Sequence, residues 1–390
     1  MPTSPISIYR PDNCDPGYTL YCHTYESADQ GRDGFAHIYL IDMAGTPAHE
    51  WRVATAAQLP ELLPNGDLVY MTRDRSNLDT AGVYKLAPDS SVLWSYHCRV
   101  DHDFHVMDNG DLMIHTITDR MTPRLGNELR RHPYFVQVRP DKSLAWEWRG
   151  DDHLDELADL VGLEIPIDFE ARLADELAER LTWDPRVSGL TITERAALLA
   201  RTTHARAFDW AHNNTCDVLC ENASGAQDPR FRAGNILFSY RSLDIIGIID
   251  RDTSDVIWAW GPDVLDGQHQ PTMLPNGHIL VYDNGARRGW SAVRELDPLT
   301  GEIVWEYTGT PKRAFYAGFI SGMQRLANGN TLICEGSSGT RPNGRLFEVT
   351  PDKTIVWEYR SPFMDPGTFG IYRCVRYTPD YVAPLLNRAS

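Results

Sequence analysis

The feature that most constrains this chain is a repeat of two alternating elements. One element is an apolar strand built around a tryptophan, and the other is a pair of apolar strands joined by Asn-Gly. The tryptophans are Trp51, Trp94, Trp146, Trp258, Trp305 and Trp357, and the turns lie in "LLPNGDLVY", "VMDNGDLMI", "MLPNGHILV" and "RLANGNTLI". Because Asn and Gly tolerate the positive φ of a tight two-residue turn, each copy predicts a β-hairpin.

The spacing of the repeat predicts the fold class. Units of about 45 residues with four antiparallel strands each are typical of β-propellers. A single strand, "GIYRCVRY", follows the last tryptophan, whereas "GYTLYC", "AHIYLIDM" and "AHEWRV" precede the first hairpin. Pairing the two ends would complete a sixth sheet and remove exposed edges. We therefore predict an all-β fold, a single six-bladed β-propeller of four-stranded antiparallel blades over residues 1–390, closed by its N-terminal strands.

One gap between the tryptophans is too long for the repeat. Residues 150–206 contain several segments of helix-forming residues, and Thr191 and Glu194 have the spacing of a capping box. We predict a helical insertion over residues 150–206, between two blades. Two interpretations of it stay open: a lid over a site, or a decoration packed on the outside.

The amino-acid composition of the chain limits the classes of partner that we expect it to bind. The formal net charge is -17, and binding of nucleic acid or of an anionic membrane would need a surplus of Lys and Arg. No segment approaches the roughly eighteen apolar residues of a membrane span, and the N-terminus lacks the pattern of a secretory signal. We expect a cytoplasmic protein with no nucleic acid or membrane partner. Its substrate would be small, and anionic or aromatic.

The repeat also predicts which side chains meet. In a propeller the first strand of each blade lines the centre, and residues at equal distances on the two sides of a hairpin turn return to one end. The heads of the inner strands carry Gln58, His102, His269 and Ser321, with His212 at the matching position of an irregular third blade. The returning strands carry Arg73 and Arg241, and the last inner strand offers Tyr372 and Arg373.

Three histidines at one opening indicate a catalytic or metal-binding site. In one interpretation a neutral histidine attacks a transferable group, another handles the proton, and Arg241 stabilises the developing negative charge. In the other, His102, His212 and His269 bind a divalent metal: Mn, Zn, Fe or Ca. The spacing leaves both open. A propeller that only presents a surface to protein partners would leave these histidines without a role.

Several segments in combination resemble the bacterial aryl-sulfate sulfotransferase family. They are "DHDFHVMDNGDL", "DWAHNNTCDVL", "NILFSYRSLDIIGIID", "GQHQPTMLPNGHILVYDNG" and "SGMQRLANGNTLICEGSSG". The resemblance implies a six-bladed propeller that transfers a sulfuryl group from an aryl sulfate to a phenol through a sulfohistidine. It also implies independence from PAPS and from any required metal, so no cofactor is expected. Family members can dimerise, and a homodimer stays open here.

The resemblance also implies roles for individual residues. By motif, His269 would take the sulfuryl group. The catalytic residues implied are His269, His212, His102 and Arg241, and the expected substrate-binding residues are Asn214, Arg73, Gln58, Tyr372 and Arg373. An alternative follows from Gln58 beside three histidines, because some propellers use a His and Gln cluster with a divalent ion to cleave uronic-acid polysaccharides by β-elimination. A metal-dependent lyase or hydrolase is therefore the second prediction.

Overall fold

The computed structural model describes residues 4–24, 32–73, 79–126, 128–203, 207–337, 344–363, 368 and 370–389. Twenty-six strands lie in this part of the chain. Before residue 100 they are β1 (Ile6–Tyr9), β2 (Tyr18–Thr24), β3 (Ala36–Ile41), β4 (Pro47–Val53), β5 (Gln58–Leu62), β6 (Leu68–Thr72), β7 (Gly82–Leu86) and β8 (Val92–His97).

The middle of the chain contributes β9 (Val100–Val106), β10 (Leu112–Met121), β11 (Leu129–Val138), β12 (Leu144–Arg149), β13 (Phe208–Asp209), β14 (Asn213–Val218), β15 (Ile236–Tyr240), β16 (Ile245–Ile249) and β17 (Val256–Trp260). The remaining strands are β18 (His269–Met273), β19 (Ile279–Asp283), β20 (Ala292–Asp297), β21 (Glu302–Thr308), β22 (Gly322–Arg325), β23 (Thr331–Glu335), β24 (Arg345–Val349), β25 (Ile355–Arg360) and β26 (Gly370–Tyr377). The helices are α1 (Leu154–Val161), α2 (Phe169–Arg180), α3 (Pro185–Ser188), α4 (Ile192–Thr203) and α5 (Pro379–Ala389).

These strands form six sheets within the described residues, three in each of two compact units. The first unit, residues 1–100 with 319–390, holds the sheets β26-β2-β3-β4, β5-β6-β7-β8 and β1-β25-β24-β23-β22. The second unit, residues 101–318, holds β9 to β12 with β13 beside β11, then β14 to β17 and β18 to β21. Four-stranded meanders are the blades of a β-propeller, and the predicted all-β, six-bladed class is confirmed.

The predicted pairing of the two chain ends is present within the first unit. Strand β26 lies antiparallel to β2, with Tyr377 opposite Tyr18 and Val375 opposite Leu20. Two features lie outside the repeat. Strand β1 adds a fifth strand beside β25, and helix α5 packs Val382 and Leu385 into the apolar core of this unit.

The Asn-Gly hairpins form, but with a different turn from the one predicted. In the first hairpin Gly66 is left-handed, with a φ of 88°, and its N–H donates to the carbonyl of Leu63. Asn65 is not left-handed; its side-chain oxygen instead accepts the N–H of Asp67 at 3.0 Å. The other three turn asparagines accept the same bond. Asparagine therefore serves through its side chain, and only glycine supplies the positive φ.

Three inner strands begin with an irregularity that redirects side chains. The pairing register breaks between Gln58 and Glu61, between Asn213 and Cys216, and between His269 and Thr272. A left-handed residue accompanies each break: Leu59, His212 and Gln270, with φ values of 49°, 47° and 48°. An extra residue in one strand bends the chain locally and changes which face a side chain occupies. Strict alternation along the strand therefore fails at the strand heads.

Helices α1 to α4 lie within residues 150–206, where the insertion is predicted. Leu154 and Leu157 of α1 join the buried cluster that contains Trp148 and Tyr240. Thr191 and Glu194 form the predicted capping box, with the N–H of Glu194 donating to Thr191 Oγ1 at 3.2 Å. None of the described helices has the length and apolarity needed to cross a bilayer.

A truncation in α1 tests whether this helix belongs to the core. Leu157→Ala removes a fully buried side chain, so we expect it to lower the free energy of unfolding by roughly 3 kcal/mol, measured by urea denaturation. Leu160→Ala on the same helix is the matched control, because Leu160 is 40% exposed. Equal losses in the two variants would show that α1 is not part of the core.

Candidate active site

The three strand-head histidines lie close together in the second unit. His102 belongs to β9, His212 directly precedes β14, and His269 is the first residue of β18. The rings of His102 and His212 meet edge to face, with centroids 4.4 Å apart. The charges of both influence the titration of His269. The predicted convergence of these side chains is therefore observed within this unit.

The imidazole of His269 is held in one tautomer. Its Nδ1 lies 2.7 Å from Asn284 Oδ1, and the Nδ2 of the same amide donates to the carbonyl of Ala317 at 2.7 Å. The bond to Ala317 fixes the orientation of the amide, since only its nitrogen can donate. Asn284 therefore presents an acceptor to Nδ1, which must carry the proton. The lone pair of the imidazole is then on Nε2.

A second set of contacts holds Asn284 itself. Ser291 Oγ donates to the backbone carbonyl of Asn284 at 2.7 Å and accepts the N–H of Ala317 at 2.9 Å. Asn284 and Ser291 are both fully buried. Ser291 therefore links the backbone of Asn284 to the backbone of Ala317, whose carbonyl accepts the hydrogen bond from the Asn284 amide. This arrangement positions His269 with an uncharged group as the partner of Nδ1.

Burial keeps His269 neutral. The side chain is buried, and this desolvation, followed by the positive charge of Arg241, lowers its pKa well below the ordinary value of 6.5, while the hydrogen bond to Asn284 acts in the opposite direction. As the pH falls below 6.5, the unfolded chain takes up a proton that the folded one does not. Stability from this group is present above pH 6.5 and is lost on acidification. At neutral pH His269 is an uncharged base.

The other two histidines face carboxylates instead of an amide. His102 Nδ1 donates to Asp101 Oδ2 at 2.8 Å, and both residues are buried. His212 Nδ1 lies 3.2 Å from Asp209 Oδ2, and the N–H of His212 donates to Asp209 Oδ1 at 2.9 Å.

Asp209 stays ionised in this surrounding. Burial acts to raise its pKa, but the hydrogen bond and charge of His212 outweigh it, and the pKa is lowered. A carboxylate at Nδ1 stabilises the imidazolium that forms when Nε2 takes up a proton. The three histidines therefore differ in role: His269 is suited to attack as a nucleophile, and His102 and His212 to hold a proton.

Arg241 lies beside this group. It directly follows β15, its N–H donates to the carbonyl of His212 at 3.3 Å, and its Nη2 donates to the carbonyl of Gly318 at 3.3 Å. Gly267, two residues before His269, has a φ of 70°, and a Cβ there would lie 3.5 Å from Arg241 Nη2 and 3.2 Å from Ala286 Cβ. Glycine is required at this position because of its backbone conformation and the close approach of Ala286.

Asn214 supports the chain next to His269. The side chain is fully buried, and its Nδ2 donates to the carbonyl of Gln268 at 2.8 Å. Gln268 is fixed in turn, with its own amide nitrogen 3.0 Å from Ser239 Oγ and 3.0 Å from the carbonyl of Ile245. Contact of Asn214 with substrate stays a prediction.

The other predicted substrate-binding residues belong to the first unit. Gln58 begins β5 and is buried, and Arg73 follows β6. Tyr372 and Arg373 lie in β26, where Tyr372 is buried. Their part in substrate binding stays a prediction.

One group of residues has the donor set of a metal site. The ligand atoms of Asp101, His102 and His115 lie within 4.8 Å of one another, and all three residues are buried. One carboxylate and two imidazoles are donors that Zn, Mn and Fe accept. This group shares His102 alone with the predicted metal set of His102, His212 and His269.

Solved structures with the same overall size and little sequence identity are similar to this chain. No protein-family profile matches the chain, and no curated protein matches it. A solved structure from Bacteroides caccae, of a protein of unknown function, is similar over 93% of this chain and 100% of its own, with 12% identity and a TM-score of 0.53. Virginiamycin B lyase from Staphylococcus aureus matches over 91% of this chain and 93% of its own, at 12% identity and a TM-score of 0.44. The Cps50 (Swd1) β-propeller domain of Myceliophteria thermophila matches over 92% and 90%, at 11% identity and a TM-score of 0.43.

Replacing the amide beside His269 by a carboxylate tests the tautomer. In the wild type we expect the His269 ring to carry its proton on Nδ1 and to stay neutral to well below pH 6.5. Asn284→Asp would stabilise the imidazolium and raise this pKa. Nitrogen-detected NMR of labelled histidine, titrated over pH, measures both properties, and His278, bonded to Glu295, is an internal reference. A proton on Nε2 in the wild type would contradict the assignment.

Proposed function

We propose that this protein is a PAPS-independent sulfotransferase, moving a sulfuryl group from an aryl sulfate to a phenolic acceptor through a sulfohistidine at His269. The observation that carries the proposal is the amide-held tautomer of His269, which leaves a neutral nitrogen lone pair beside Arg241. A nucleophile that works without a metal needs this protonation state.

The first half of the reaction follows from the histidine roles. The lone pair on His269 Nε2 attacks sulfur, an N–S bond forms, and the S–O bond to the aryl group breaks. The departing aryloxide takes a proton from the imidazolium of the pair formed by His102 and His212, which Asp101 and Asp209 support. Arg241 stabilises the charge on the sulfuryl oxygens. The product is a phenol, and the enzyme holds the sulfuryl group.

The second half reverses these roles. The acceptor phenol gives its proton to the same histidine pair, and its oxygen attacks sulfur. The N–S bond breaks, its electrons return to His269 Nε2, and the neutral imidazole is restored. No external oxidant, reductant or cofactor enters, so the two half-reactions balance.

A second function is favoured by the group Asp101, His102 and His115. A divalent ion held by these residues would supply a Lewis acid for β-elimination on an anionic sugar, the metal-dependent lyase or hydrolase of the alternative prediction. Elemental analysis of the purified protein separates the two proposals. Stoichiometric Mn, Zn, Fe or Ca, with activity lost on chelation, would favour the lyase.

Rapid mixing with an aryl sulfate tests the nucleophile. We expect a burst of phenol equal to the enzyme concentration when no acceptor is present, and an added SO₃ on the peptide that contains His269. His269→Gln should abolish the burst and lower turnover by about three orders of magnitude, since the proposed nucleophile is gone. His105→Gln is the matched control, because His105 bonds to Asp217 and takes no part in the proposed steps. A full burst from His269→Gln would exclude this histidine.

A comparison of two aryl sulfates with different leaving groups tests the proposed proton donors. Asp209→Asn removes the carboxylate behind His212, so we expect a loss of about 10² in turnover for phenyl sulfate and a much smaller loss for 4-nitrophenyl sulfate. A nitrophenolate leaves without protonation, whereas phenolate does not. Equal losses with the two donors would indicate that Asp209 acts on structure alone.

A further inference from the structure

The helical insertion forms one wall of a cavity in the second unit. The cavity has a volume of about 910 Å³ and lies between α2 and the segments 241–245, 262–267 and 286–288. Its lining includes Arg241 and Gly267. It therefore reaches the arginine proposed to hold the sulfuryl oxygens.

Part of the lining is apolar and suits an aromatic ring. Helix α2 contributes Phe169 and Leu173, and the facing segments contribute Leu243, Val264 and Leu265. Concave sites lined by apolar side chains, with a few placed polar groups, are typical of binding sites for small molecules.

Most cations of the lining are already engaged. Arg287 pairs with Asp244 at 2.7 Å and with Asp266 at 2.9 Å. Arg288 pairs with Asp283 at 2.8 Å. Arg172 of α2 donates to the carbonyl of Ser242 at 3.2 Å and lies 3.6 Å from Asp244. These arginines are neutralised by carboxylates or bound to backbone.

Four carboxylates of the lining have no such partner. Glu164, Asp175, Glu179 and Asp263 are exposed residues of the lining, and none forms a close ion pair within the described part of the chain, although the charge of Asp175 acts on Arg172 at longer range. Asp175 and Glu179 are one turn apart on α2. The cavity therefore has a cation, Arg241, in one part of its lining and an excess of negative charge elsewhere. This field attracts a positively charged molecule and repels an anionic one.

We propose that this cavity binds the acceptor, and that the acceptor is a phenol carrying a protonated amine, a hydroxyaryl alkylamine. The phenolic oxygen lies toward Arg241, the ring on the apolar lining, and the ammonium against Asp175 and Glu179. The assignment rests on the sulfuryl transfer proposed above. It gives the insertion a role in acceptor choice and narrows the expected acceptor from a phenol to a phenol with a positive charge, while the donor stays an anionic aryl sulfate.

Three acceptors of matched size test the charge preference. Tyramine is cationic, 4-ethylphenol is neutral, and 3-(4-hydroxyphenyl)propionate is anionic. With one aryl sulfate as donor, we expect kcat/KM to fall by about tenfold at each step in that order. The variant Asp175→Asn/Glu179→Gln should remove most of this difference. Asp159→Asn/Glu170→Gln is the control, since it removes the same charge from α1 and α2 at residues outside the lining.

Direct binding separates this proposal from the reaction it rests on. Calorimetry with His269→Gln protein should show that tyramine binds more tightly than the propionate, and that removing the carboxylates of Asp175 and Glu179 weakens tyramine alone. Such binding without any sulfuryl transfer in the wild type would overturn the proposed function and keep the site. Transfer with equal kcat/KM for the three acceptors, or unchanged by the α2 variant, would overturn the site and keep the function.

Discussion

The hydrogen bond between Asn284 and His269 is the interaction on which the proposed chemistry of this site depends. An amide accepts the Nδ1 proton without adding charge, and its orientation is set by Ala317. A carboxylate at the same place would make a third Asp–His pair, and the site would lose its neutral base. The proposed division between nucleophile and proton carriers thus rests on one atom type, nitrogen in Asn284 where Asp101 and Asp209 have oxygen.

Burial makes that small difference effective. In water an imidazole near neutral pH exchanges between tautomers and charge states, so a neighbouring amide would select little. Inside the second unit, desolvation opposes the charged form of His269. The side chain is therefore held neutral, although its hydrogen bond to Asn284 favours the protonated form. The same burial favours bonding of the polar groups around it, which accounts for the donor contacts of Ser291, Gln268 and Asn214, while Asn214 Oδ1 and Gln268 Oε1 are buried without a partner in the described part of the chain.

The distribution of charge around the site affects which substrates it would attract. The chain has a formal net charge of -17, so a site for sulfate needs local cations, and Arg241 lies beside the histidines. In the adjoining cavity most arginines are occupied by Asp244, Asp266 and Asp283. An anionic donor group and a cationic acceptor can then be drawn to different parts of one site. The helices of the insertion take part in this arrangement because α2 carries two of the carboxylates without ion-pair partners.

The sequence by itself determined the all-β class, the six tryptophan strands, the hairpins and the helical residues, because each is encoded in local periodicity and turn chemistry. It also brought His102, His212 and His269 together, since the repeat assigns them equivalent positions. Only the tertiary structure decided their partners at Nδ1. The partners Asp101, Asp209 and Asn284 are short side chains whose contacts depend on bulges, left-handed residues and packing between strands distant in the chain. Such contacts leave no period in a sequence, and the roles of Gln58, Arg73, Tyr372 and Arg373 stay predictions for the same reason.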